Sequence, residues 1–276
     1  MNMYYRHNLD YQYPERSDEH MITVKKLRTV VLDEKYPYLQ KSAWYKFKRG
    51  VFWVLINIIV CPLLCVSHGL KIHGKENFRK HKKEFKNGAI TISNHVFMWD
   101  YLCVLKAVRP HLMYFPAWKT NLEGPNGPLI RWAGGIPIPT GSVHCMMKFQ
   151  KAMDEVLESG KWMHVFPEGS MWYYYPDIRP LKKAVFKYAV KYDKPIIPIT
   201  MSFRPRKGLL KLFGKTPAVD LHIGEPLYAD KTLSRPEAED KLHKEAYHIM
   251  QVMNGINPGD PTYNEDQNPA TYQKTM

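Results

Sequence analysis

Four cysteines in 276 residues are too few, and too irregularly spaced, for a disulfide framework or a zinc site. Cys61, Cys65, Cys103 and Cys145 form no Cys-x2-Cys pair and sit mainly in apolar runs, so they read as reduced, small hydrophobic residues. Other signatures are missing too. The chain holds no His-Glu-x-x-His helix, EF-hand loop, Gly-x-Ser-x-Gly elbow or Gly-rich phosphate loop, which weakens metal, nucleotide and serine-hydrolase readings. No Gly/Ser-rich or Pro-rich linker divides it and no internal repeat is visible, so one large catalytic domain with extensions is expected. A cleaved signal peptide is not expected, because about 45 polar, Tyr-rich residues precede the first apolar run and no small-residue cleavage site follows it. The expected location is the cytoplasmic side.

Acidic charge is also scarce. Against 26 Asp and Glu stand 40 Lys and Arg, and a net charge of +14 attracts polyanions such as nucleic acid, anionic headgroups or phosphorylated metabolites. Its placement favours a membrane surface. Residues 51–66 have only Asn57 and Pro62 as non-apolar members, Lys46-Phe47-Lys48-Arg49 lead into them, and residues 71–86 carry seven Lys/Arg against Glu76 and Glu84. A straight crossing needs about 20 apolar residues and Pro62 interrupts helical bonding, so a monotopic, interfacial or re-entrant helix pair is expected. The competing reading is a buried core helix. Nucleic acid is not expected as a partner, since the basic runs lack aromatic interleaving and no recognition motif is present.

Beyond the apolar run, strand-like segments at 89–93, 111–115, 136–139, 162–166, 195–203 and 218–223 alternate with helical patterns. Ser142 caps one predicted helix, with Met146, Phe149, Met153, Val156 and Leu157 at helical spacing and Gly160 to end it. A second is predicted from Pro180 to about Tyr192, with Lys183, Lys187 and Lys191 as a basic stripe that is either a solvated face or a headgroup track. The alternation implies an α/β fold: a single mixed, mostly parallel central sheet flanked by helices, with an N-terminal membrane-docking helical segment. The expected divisions are a polar extension (1–45), the apolar segment (46–70), a catalytic domain (71–230), and a C-terminal helix with a loose tail from Asn257 (231–276).

Two motifs carry chemistry. His95 and Asp100 lie in Ser93-Asn94-His95-Val96-Phe97-Met98-Trp99-Asp100, on the loop between a predicted buried strand and a predicted helix. Composition alone gives about 0.5 such His-x4-Asp spacings by chance, so context decides. A carboxylate can fix the tautomer of the imidazole while the other ring nitrogen takes a proton from an attacking hydroxyl. The second motif, Phe166-Pro167-Glu168-Gly169, also follows a strand-like run, and its chance expectation is only roughly 0.002. Glu168 could hold a substrate hydroxyl, and Gly169 could offer its N–H to a reacting carbonyl. No Ser or Cys sits in a nucleophile setting, so direct attack on an activated donor such as a thioester fits better than an acyl-enzyme. The aromatic run from Trp172 to Tyr175 reads as core or as the rim of a lipid entrance.

With these motifs in order, the sequence resembles the glycerolipid acyltransferases of the lysophosphatidate acyltransferase type. Asn94-His95-x4-Asp100 is similar to their first block, Phe166-Pro167-Glu168-Gly169 to their third and Pro195-Ile196-Ile197-Pro198-Ile199 to their fourth, over residues 71–230. The resemblance implies His95 as base, Asp100 as its orienting partner, and Glu168 with Gly169 at the acceptor and reaction centre. It also implies Lys119 facing the acceptor phosphate, and the expected substrate-binding group is Asn94, Lys119, Phe166 and Pro167, with Arg179 and Lys182 added as candidate anion ligands. No cofactor is implied; acyl-CoA or acyl-carrier protein is the co-substrate, and a lysophospholipid and a membrane lipid surface are the partners. Two blocks depart from the family pattern: Ser170-Met171 stands where Thr-Arg is usual, and Gly134-Gly135-Ile136-Pro137-Ile138-Pro139-Thr140 lacks a closing arginine. Either Lys119, Arg179 and Lys182 take over the anion, or the acceptor is not a simple phosphomonoester. The alternative is a non-catalytic, lipid-binding protein that keeps the fold.

Overall fold

The computed structural model describes residues 9–17 and 19–256; the tail expected from Asn257 lies outside them. Seven strands, β1 (Lys71–His73), β2 (Ile90–Ser93), β3 (Met113–Trp118), β4 (Gly135–Ile138), β5 (Trp162–Val165), β6 (Ile196–Arg204) and β7 (Ala218–Ile223), form one sheet. Their order is β1-β7-β6-β2-β5-β3-β4, and every pairing is parallel except β6 with β7. The mixed, mostly parallel sheet is therefore present. β1 has no counterpart in the sequence reading, because three residues within a basic run leave no apolar pattern to find.

The described helices are α1 (Ala43–Leu55), a π-helical turn (Ile56–Val60), α2 (Cys61–Ser67), α3 (Lys75–Lys80), α4 (Asp100–Ala107), α5 (Lys119–Glu123), α6 (Gly127–Ala133), α7 (Val143–Glu158), α8 (Ala184–Tyr192) and α9 (Arg235–Met253). Ser142 caps α7 as predicted, its side chain accepting from the His144 N–H. Hydrophobic residues of α2 and α4 pack one face of the sheet, and those of α7, α8 and α9 pack the other. Central strands buried on both faces read as near-continuous apolar runs, which is why they were legible.

α8 begins at Ala184 rather than at Pro180. The preceding backbone is held by the loop after β5: Lys182 N–H donates to Pro167 O at 2.8 Å and Arg179 N–H to Glu168 Oε1 at 2.9 Å. Those tertiary bonds replace helical ones. The lysine stripe is a solvated face with surface ion pairs, Lys183 to Asp240 at 2.8 Å and Lys191 to Asp154 at 3.2 Å.

The apolar segment is neither a re-entrant pair nor a core helix. Residues Ala43–Ser67 run as one 25-residue helix, and only 17% of its most apolar window is buried. A proline at position 62 would press its ring on the carbonyl of Ile58, and the π turn over Ile56–Val60 accommodates it. Among the described residues this is the one helix long and apolar enough to cross a membrane. Asn57, its polar interruption, donates to Trp53 O at 2.8 Å and accepts from Arg109 at 3.0 Å. One side of the helix docks to the domain through buried Tyr45, whose hydroxyl donates to Arg131 O at 2.6 Å, and Arg49, which bonds Met113 O and covers the Tyr114 ring.

Candidate active site

β2 and β5 are neighbours whose connections leave in opposite directions: β2 leads through α4 to β3, and β5 leads through α8 to β6. The crevice beyond their carboxyl ends is thus a topological switch point, the usual ligand position in open α/β sheets. His95 follows β2 and Phe166-Pro167-Glu168-Gly169 follows β5, so the topology brings both motifs there.

Asp100 opens α4, where a carboxylate is favoured by the helix N-terminus. Its side chain is buried, and Oδ2 accepts from His95 Nδ1–H at 2.6 Å and from the Val96 N–H at 3.1 Å, while Oδ1 accepts from the Tyr101 N–H at 2.7 Å. An ionised carboxylate only accepts, so Nδ1 carries the proton and Nε2 is the basic nitrogen. No protein group bonds Nε2 among the described residues, and the imidazole is 24% exposed. Phe166 stacks on the ring at 3.9 Å between centroids and sets its plane.

Glu168 is placed differently from the expected hydroxyl holder. Its side chain is fully buried: Oε2 accepts from the His95 N–H at 3.0 Å and from Arg179 Nη2 at 2.8 Å, and Oε1 from the Arg179 N–H at 2.9 Å. It ties the two loops together. Arg179, expected as an anion ligand, is 0% exposed and its guanidinium also bonds Ser170 Oγ, Ser170 O and Ser17 O. A guanidinium so enclosed has no fork left for a phosphate. Asn94 is likewise internal, its amide donating to Met201 O at 2.9 Å and accepting from Met201 N–H at 2.8 Å. Pro167 is buried beneath the turn. The Gly169 N–H, expected to meet a reacting carbonyl, already donates to Phe166 O at 3.0 Å.

Lys182 is the exposed cation beside this loop. A Cβ on Gly169 would lie 2.8 Å from its Nζ, and Gly169 has φ +86°, so glycine both adopts the turn and makes room for the ammonium. Lys119 stands at the end of β3, on the same sheet edge, and its Nζ is 3.6 Å from buried Glu123, which Lys26 also approaches at 3.1 Å. Of the three expected cations, Lys182 alone has no ion-pair partner among the described residues.

Several site-forming groups take their role only from tertiary contacts. Trp172 N–H donates to His95 O at 3.0 Å and Tyr174 N–H to Val96 O at 2.7 Å, so the aromatic run buttresses the histidine loop from the core and is not a rim. The described residues of the N-terminal extension near Ser17 to His20 form a strap across this edge. Ser17 O accepts from Ser170 and Arg179, Glu19 O from the Trp172 indole, and His20 stacks on Trp118 at 3.9 Å. An arginine between Ile178 and Pro180, in a largely apolar and aromatic stretch, was the clue to the buried pair.

Beneath Phe166 lies His164, with Nδ1 2.9 Å from Thr91 Oγ1. Burial, reinforced by nearby His95, holds its pKa down to about 3, so it is neutral in the fold. The unfolded chain binds this proton below about pH 6.5 and the folded one does not until about pH 3; stability therefore falls as pH drops through that window. His164→Asn should flatten the acid limb, retaining by pH 3 about 4–5 kcal/mol that the parent loses there relative to neutral pH. Denaturant midpoints measured against pH check this, and parallel curves for the two proteins would contradict it.

Residues 69–202 match the acyltransferase family. No curated protein matches the chain significantly. The fold is similar to the crystal structure of the 1-acyl-sn-glycerophosphate (LPA) acyltransferase PlsC from Thermotoga maritima, with a TM-score of 0.50 and 18% identity over 78% of this chain and 85% of that one.

Proposed function

We propose, on the match of residues 69–202 to the acyltransferase family model, that this chain transfers a fatty acyl group from an acyl thioester to a hydroxyl of a lysophospholipid, with His95 as general base. The observation that carries this reading is the 2.6 Å His95–Asp100 bond, which leaves Nε2 free to accept a proton. The acceptor hydroxyl gives its proton to Nε2 as its oxygen bonds the thioester carbonyl carbon. The tetrahedral intermediate then expels the thiolate, which takes the proton back from Nε2. No covalent enzyme intermediate is needed: Ser93 donates to Asn94 O, and Ser170 to Ser17 O.

The donor is acyl-CoA or acyl-carrier protein, and the reaction belongs to phospholipid assembly at the cytoplasmic face of a membrane, where the exposed apolar helix Ala43–Ser67 provides attachment. The Thermotoga maritima protein is named for 1-acyl-sn-glycerophosphate, and a phosphate-bearing acceptor fits here with Lys182 in place of the absent arginines. Purified protein in detergent should transfer labelled acyl groups to one or more of a lysophospholipid panel, identified by product mass. Lys182→Ala should raise the acceptor KM by about 10- to 100-fold with a smaller change in kcat, as expected for a lost charge-assisted contact. An unchanged KM would remove Lys182 from the acceptor site. No turnover with any acceptor would favour lipid binding without catalysis.

A further inference from the structure

The connection between β6 and β7 exposes large apolar side chains that its own architecture holds out of the core. Leu209, Leu212 and Phe213 are 78%, 79% and 50% exposed on a 3-10 turn over Gly208–Phe213. The turn is built, not loose. Arg206 bonds Thr216 O and also donates to Leu210 O at 3.1 Å and Thr216 Oγ1 at 3.3 Å, while Arg204 at the loop base bonds Gly69 O. With both arginines occupied inside, Lys207, Lys211 and Lys215 are left exposed and without ion pairs among the described residues. No acidic residue lies between Arg204 and Val219.

Placement gives this surface its occupant. The 3-10 turn packs against α2, the C-terminal part of the apolar helix, with Leu210 turned in beside Gly69. α2 also packs against α4, which opens at Asp100, and the His68 ring lies 5.7 Å from Phe97. Met98 and Trp99, on the His95 loop itself, are 57% and 40% exposed. β6 runs parallel to β2 and continues past Ser93 to Arg204, so the loop leaves the sheet on the same edge as His95. Apolar tips interleaved with unpaired lysines, continuous with a helix that suits a bilayer, are the chemistry of an anionic membrane surface.

We infer that the β6–β7 loop is a second bilayer-inserting element: Leu209, Leu212 and Phe213 enter the acyl boundary while Lys207, Lys211 and Lys215 meet lipid phosphates. This rests on the membrane reading of the helix Ala43–Ser67 and adds an orientation to it. Two contacts fix a plane where one helix fixes only an axis. With helix and loop both inserted, the His95 edge lies against the headgroups, where a lysophospholipid hydroxyl arrives.

The test uses the full chain with Leu212→Cys in a Cys65→Ala background, labelled with an environment-sensitive fluorophore. It is mixed with vesicles of phosphatidylcholine and phosphatidylglycerol. Protein that sediments with vesicles should show a blue-shifted label shielded from aqueous iodide by at least about fivefold, whereas a label at Lys187→Cys on α8 should stay accessible. K207Q/K211Q/K215Q should weaken vesicle binding by roughly 10- to 100-fold. Sedimenting protein whose Leu212 label remains in water, or an unchanged affinity of the lysine variant, would overturn the loop assignment and leave the helix reading intact. Protein that stays in the supernatant would overturn both. A label already dry without vesicles, on a particle of dimer mass, would give the face to a second copy of the chain and overturn the inference.

Discussion

His95→Ala should lower acyl turnover by about 10²- to 10⁴-fold without changing the folded state, the range that a positioned general base contributes. The imidazole is partly exposed, and its removal costs the stacking of Phe166 and one bond to buried Asp100, whose carboxylate keeps its bonds from the Val96 and Tyr101 N–H groups. Asp100→Asn should cost activity by a related route. An asparagine amide can present N–H to Nδ1, which favours the tautomer with its proton on Nε2 and so blocks proton acceptance. Asp100 also accepts backbone bonds from Val96 and Tyr101, so this variant should lose some stability as well. The double variant should be little worse than His95→Ala alone, because the two residues act as one unit. Single-turnover assays with labelled thioester settle the matter, and turnover unchanged in His95→Ala would sink the mechanism.

Arg179→Met should be the most damaging single change for stability, costing about 3–5 kcal/mol, because it strands the Glu168 carboxylate in the interior. Glu168→Gln should fall in the same range and also reduce kcat, since Oε2 holds the His95 backbone N–H. If Glu168 acted by contacting the acceptor, the glutamine variant would instead raise KM at nearly constant stability. Denaturant midpoints together with a KM-against-kcat split separate the two roles. The double variant E168Q/R179M should recover part of the loss, as expected when both charges of a buried pair are removed together.

These outcomes bear on how an anionic acceptor is held. On the proposed reading, Lys182 offers a single exposed ammonium across Gly169 in place of an arginine fork. A lysine is a point charge without the bidentate geometry that selects a phosphomonoester, so discrimination among lysophospholipid headgroups should be weaker than a guanidinium would give. The strap borders the same edge, where Ser17 meets Arg179, His20 stacks on Trp118 and Lys26 pairs with Glu123.

The sequence by itself determined the α/β alternation, the strand-end positions of both motifs and the His95–Asp100 pair, because each rests on local pattern: apolar runs, caps and a five-residue spacing. It also marked the apolar segment, though Pro62 suggested a break that a π turn absorbs. Only the tertiary structure decided what the charged residues do. Glu168 and Arg179 neutralise each other inside, Asn94 clips the loop to β6, and Lys182 is left facing solvent. Residue type and spacing look the same for a buried carboxylate and a substrate-facing one. The difference lies in which long-range partners enclose it, among them Ser17 O, reaching Arg179 from 162 residues away.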